Sequence, residues 1–89
     1  MFYIVCYDIS TKKNLPKVLK TCRKYLTWVQ KSVFEGELTE SSMTSLKREL
    51  KGIIDKKKDL IFFYEIRTKA VVEKHVMGKE KNENSFIII

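Results

Sequence analysis

Apolar positions along the chain change period several times, and each change marks an element. Met1–Tyr7 is nearly all apolar, β-branched or aromatic, and predicts a strand covered on both faces. Asp8-Ile9-Ser10-Thr11 ends it. Leu15, Val18, Leu19, Cys22 and Leu26 then fall at helical spacing, with Pro16 in the first turn, where no N–H partner is lost. Trp28 to Leu38 predicts a second strand, and Gly36 within it a bulge or bend. Thr39 suits the N-cap of a second helix whose apolar positions are Met43, Leu46, Leu50, Ile53 and Ile54, weakened near its end by Gly52. Asp55–Asp59 is a charged turn, Leu60–Ile66 an aromatic-rich third strand and Val71–Met77 a weaker fourth. Gly78–Asn84 is polar, and Ser85–Ile89 closes the chain on Phe86-Ile87-Ile88-Ile89.

This order is βαββαβ-like with one strand to spare. It predicts an α+β fold, a four-stranded antiparallel sheet with two helices on one face, the ferredoxin-like arrangement. Residues 1–78 form that domain, and 79–89 a loop and C-terminal strand. Four apolar residues at a terminus make an adhesive edge. They can pair at the edge of their own subunit's sheet or add to a partner's.

Composition narrows the class. Eighty-nine residues allow one domain near the lower size limit for independent stability. With 44% apolar residues a core is available, so wholesale disorder is excluded. No apolar run approaches the ~20 residues of a membrane span, and no basic start marks a signal peptide. With only Cys6 and Cys22, the expected setting is the cytoplasm, with no membrane partner and no disulfide scaffold. The net charge is +7, and it is not spread evenly. Lys12, Lys13, Lys17, Lys20, Arg23, Lys24 and Lys31 lie between Thr11 and Lys31 with no acid among them, and the rest of the chain sums to zero. A face evolved only for solubility mixes signs and gains i,i+4 pairs. This one points to phosphate, and so to nucleic acid.

Few residues offer chemistry. Asp8 is the sole acid among the first 34 residues, where a strand meets a loop ahead of the basic helix. It either turns the chain or serves as a metal-binding or basic carboxylate. A lone carboxylate is a poor Mg²⁺ site, but a two-fold dimer would bring two together. His75 belongs to the surface, and Cys6 and Cys22 to the core. The chain holds no CxxC, HExxH or Walker-type glycine loop.

Tyr7-Asp8-Ile9-Ser10, a basic helix, and then Val29-Gln30-Lys31-Ser32-Val33-Phe34-Glu35-Gly36-Glu37-Leu38-Thr39 resemble the CRISPR-associated protein 2 family. The likeness extends through the second helix, the aromatic third strand, Val76-Met77-Gly78 and the apolar tail. It implies a ferredoxin-like homodimer whose C-terminal strand, here Ser85–Ile89, adds to the partner's sheet. It implies a role in CRISPR adaptation, bridging dimers of the CRISPR-associated integrase and holding a DNA duplex as a new spacer is inserted. It also implies a metal-dependent endonuclease on RNA or duplex DNA, with Asp8 as the Mg²⁺ ligand and Tyr7 and Phe34 as the accompanying site residues. The chain departs from the family pattern in carrying Lys12, Lys13 and Asn14 where arginines are common, Thr27 or Trp28 at a further arginine position, and no glycine after Tyr25. Lysine keeps the charge but loses the bidentate fork that matches phosphate.

Three functions follow as expectations. The first is an adaptation scaffold in which Asp8 need not react, and the second a free-standing, toxin-like Mg²⁺-dependent ribonuclease. The third, a non-catalytic ferredoxin-like RNA-binding module, is disfavoured because Leu60–Ile66 lacks the Gly-aromatic pattern used for base stacking.

Overall fold

The computed structural model describes residues 1–67 and 73–78. The elements run β1 (Phe2–Asp8), α1 (Leu15–Tyr25), β2 (Thr27–Gln30), β3 (Val33–Glu37), α2 (Glu40–Lys51) and β4 (Leu60–Ile66). The four strands form one antiparallel sheet in the order β2-β3-β1-β4. This is the expected α+β, ferredoxin-like arrangement, reached by two strands between the helices where the periodicity predicts one.

Strand alternation divides the sheet into two faces. Tyr3, Val5 and Tyr7 of β1 and Phe34 of β3 point to the helices, where they meet Val18 and Cys22 of α1 and Met43, Leu46 and Leu50 of α2. Val5, Val18, Cys22, Phe34 and Leu46 are fully enclosed. The opposite face carries Phe2, Ile4, Cys6 and Asp8 of β1, in register with Ile66, Tyr64, Phe62 and Leu60 of β4. Leu60, Phe62 and Tyr64 are about half exposed there, at 49%, 49% and 54%.

Local signals explain the element ends. Pro16 sits in the first turn of α1, and Arg23 and Lys24 in the last, where cations suit the helix dipole. The Thr39 hydroxyl accepts from the Ser42 amide at 3.1 Å and caps α2. Gly52 is its C-cap, so Ile53 and Ile54 lie beyond the helix, packed against the core.

Two expectations within residues 28–38 need correction. The stretch is not one strand but a hairpin, β2 and β3, joined at Lys31-Ser32 with Gln30 opposite Val33. The turn uses no residue at positive φ other than glycine elsewhere, so it needs none of the Asn-Gly chemistry that announces a hairpin. A register shift between Trp28 and Gln30 absorbs the mismatch instead. Gly36, in turn, makes no bulge: it pairs regularly with Tyr3. Glycine suits the position on two counts: its φ is +159°, which other residues rarely adopt, and a Cβ there would meet Leu26 Cδ2 at 3.1 Å.

Of the expected fourth strand Val71–Met77, residues 73–77 have no regular structure, and Val71 and Val72 lie outside the described residues. Lys74 ties this segment to the sheet through Glu35 at 3.0 Å, with both side chains largely covered. The C-terminal strand expected at Ser85–Ile89 also lies outside the described residues.

Candidate nucleic-acid interface

Asp8 is the last residue of β1 and is exposed. By alternation it points away from the helices, on the face of Cys6 and Leu60. Tyr7, its neighbour, points the other way. The Tyr7 ring packs 6.2 Å from Phe34, and its hydroxyl donates to the Lys31 carbonyl at 2.5 Å. Burial, with a smaller contribution from Cys22, raises the phenol above its usual pKa, so it stays a donor. Phe34 is wholly enclosed. The structure therefore brings Tyr7 and Phe34 together in the core and sets Asp8 apart from both. Neither ring presents a reactive atom at the surface, and what Tyr7 does visibly is anchor the turn that carries Lys31.

The basic residues are distributed as the charge pattern suggests. Lys12 and Lys13 lie in the loop between β1 and α1, Lys17, Lys20, Arg23 and Lys24 on α1, and Lys31 in the hairpin turn, all exposed. Their apolar neighbours on α1, Val18 and Cys22, face the core, so packing itself turns the cations outward. Among the described residues, Lys24 is the one of the seven that makes an ion pair, at 2.5 Å to Glu49 of α2. Glu49 also accepts from the Tyr25 hydroxyl, and its carboxyl is held below the usual range by Lys24 first and Tyr25 second.

One site residue escapes the sequence pattern. Asp59, a member of the charged turn, is 7% exposed immediately before β4. Its Oδ1 accepts from the amides of Ser10 at 2.9 Å and Thr11 at 3.1 Å. Its Oδ2 accepts from the Asp55 amide at 2.8 Å and from Asn14 Nδ2 at 3.3 Å. These donors, the Asp55 amide foremost, lower its pKa to about 2 against the opposing cost of burial. The sequence marks this residue only as the end of a charged turn, directly preceding a strand that must pair with β1.

A cavity of about 340 Å³ opens between the end of α2 and β4, floored by Leu50, Ile54 and Phe63 and rimmed by Lys47, Lys51 and Lys56. Among the described residues, no group of three His, Cys, Asp or Glu side chains could hold a metal ion. The donor set that one subunit offers at Asp8 is thus a single carboxylate, which fits Mg²⁺ only if a second copy or the phosphates of a substrate complete it.

Comparison with known proteins places this arrangement. The family profile described as CRISPR associated protein Cas2 matches residues 1–74. The chain belongs to that family. A protein of Dictyoglomus turgidum named CRISPR-associated endoribonuclease Cas2 is 43% identical over 88 residues, 99% of this chain and 100% of the relative. Its namesake from Thermotoga maritima is 42% identical over 87 residues, 98% and 99% of the two chains. A solved structure described as cas2 superposes with a TM-score of 0.81 at 35% identity, covering 99% of this chain and 98% of the other. Streptococcus pyogenes Cas2 gives 0.72 at 36% identity, covering 85% and 100%. The likeness thus spans nearly the whole chain. Among the described residues, no helix is long and apolar enough to cross a membrane.

Proposed function

We propose that this Cas2 protein acts in CRISPR adaptation as a homodimer that holds duplex DNA and bridges the CRISPR integrase. The observation that carries this reading is the row of exposed cations on α1 and its flanks, turned outward by a core-facing apolar stripe and nearly free of acids. Such a row neutralises backbone phosphates, releases counterions and positions a helix without reading sequence. The homodimer draws support from Leu60, Phe62 and Tyr64, apolar side chains about half exposed on the sheet face away from the helices. Asp8 ends on that same face, so a second copy packed there would supply a second carboxylate.

A second reading is Mg²⁺-dependent cleavage of RNA or DNA; the relatives' name, endoribonuclease, supports the cleavage of RNA. Asp8 is the residue that would hold the ion, which when bound would polarise a phosphodiester. The residues' own part is then plain. Lys12, Lys13 and the α1 cations bind and orient the backbone, Asp8 contributes charge, and Tyr7 fixes the Lys31 turn.

Spacer acquisition in cells separates the two. For a scaffold, Lys17/Lys20/Arg23→Ala abolishes acquisition and Asp8→Asn leaves it intact. Loss of acquisition in Asp8→Asn, with duplex binding retained, would make the carboxylate essential and favour the nuclease.

A further inference from the structure

We infer that Asp59 is a positioning residue for phosphate binding: its carboxylate clamps the loop between β1 and α1 and so fixes the two lysines, Lys12 and Lys13, that the loop presents. This rests on the duplex-binding reading above and assigns part of it to a residue that touches no nucleic acid.

An ionised carboxylate has about four lone-pair sites. All four at Asp59 are used, by the amides of Ser10, Thr11 and Asp55 and by the Asn14 side chain. Asp59 has no capacity left to hold a metal or take a proton from a substrate. Three of its donors belong to one short loop, 45 to 49 residues away in sequence. They bracket Lys12 and Lys13, since Thr11 is tied on one side and Asn14 on the other. Asn14 precedes α1 and gives that helix no side-chain cap; its Nδ2 donates to Asp59 instead. The loop also closes on itself, with the amides of Asn14 and Leu15 donating to the Thr11 carbonyl at 3.0 and 3.2 Å.

The consequence for binding is pre-organisation. A lysine on a loose loop must be ordered when it meets a phosphate, and that ordering weakens affinity. Lys12 and Lys13 stem from a backbone already held at both ends. Lys17 and Lys20 stem from a helix and need no clamp. Asp59 is therefore coupled to the first pair and not to the second.

A double-mutant cycle reads this coupling. Asp59→Asn keeps the shape but sets an NH₂ against the donors of the loop. Duplex DNA affinity is measured by fluorescence anisotropy on the full chain, at neutral pH, with the fold checked by circular dichroism. Asp59→Asn is expected to weaken binding severalfold. In that background Lys12→Ala/Lys13→Ala costs little more, whereas Lys17→Ala/Lys20→Ala costs its full wild-type factor. A general loss of structure would blunt both pairs alike. Full additivity of Asp59→Asn with Lys12→Ala/Lys13→Ala overturns the proposal. If Asp59→Asn does not fold, the same cycle on Asn14→Ala decides, with additivity there equally fatal. Hydrogen exchange keeps the clamp separable from the duplex reading. Should the wild type bind no duplex, that reading fails on its own, while unchanged exchange at the Ser10 and Thr11 amides in the Asp59 variant removes the clamp.

Discussion

At the scale of single residues, three carboxylates carry three different duties, and their surroundings decide which. Asp8 is exposed at a strand end, Glu49 joins the two helices, and Asp59 is saturated by donors. Asp59 gives a definite acid signature. Its folded pKa, about 2, lies below the ordinary 3.8, so the unfolded chain binds the proton more readily. The stabilisation is therefore complete above the unfolded value and disappears as pH falls from about 4 through about 2. Urea unfolding of wild type and Asp59→Asn should differ at pH 6 and converge near pH 2. The core residues behave otherwise. Phe34→Ala should cost roughly 3–5 kcal/mol in urea unfolding, because an enclosed ring leaves a cavity. Asp8→Asn should stay within about 0.5 kcal/mol of wild type, as an exposed side chain. Activity lost in Phe34 variants would thus report folding, and activity lost in Asp8→Asn would report chemistry. The exposed lysines and Asp8 were legible in sequence because charge shows itself without a partner. Asp59 was not, because its role exists only when residues 10, 11 and 14 are brought to it across 45 or more positions.

At the scale of elements, α1 is an amphipathic helix with two employments: Val18 and Cys22 go to the core and the cations to the exterior. Removing Lys17 and Lys20 together should reduce the slope of log K against log salt on duplex DNA by about 1.8, if each meets one phosphate. A salt titration of the double alanine variant checks this, and an unchanged slope would place the duplex elsewhere. For α2 the cap is the weak point, and Thr39→Ala should lower stability by about 1 kcal/mol in chemical denaturation. Helices, caps and β4 were readable because periodicity and capping chemistry are local. The β2–β3 hairpin was not, since Lys31-Ser32 turns the chain without the glycine or asparagine that usually marks the event. Gly36 misled for a related reason: it serves a positive φ and the nearness of Leu26 within a regularly paired strand, not a bulge.

At the scale of the whole molecule, one side of the sheet is closed by helices and the other is open over Leu60, Phe62 and Tyr64. If a second copy covers that face, thermal unfolding should shift upward with protein concentration, and Tyr64→Lys should remove the shift while leaving the helix-side core intact. Scanning calorimetry over a hundredfold concentration range checks this; a concentration-independent midpoint for the wild type would argue for a stable monomer.

The strand order has a further consequence, in time rather than in space. β1 is made first, yet it lies between β3 and β4, so one of its two hydrogen-bonding edges waits for residues 60–66. During synthesis the centre of the finished sheet is, for most of the chain's emergence, an apolar strand with an open side. Late pairing of this kind slows folding and leaves nascent chains open to association. A ribosome stalled before Leu60 should therefore carry an adhesive intermediate, and one released after Ile66 a chain whose sheet can close.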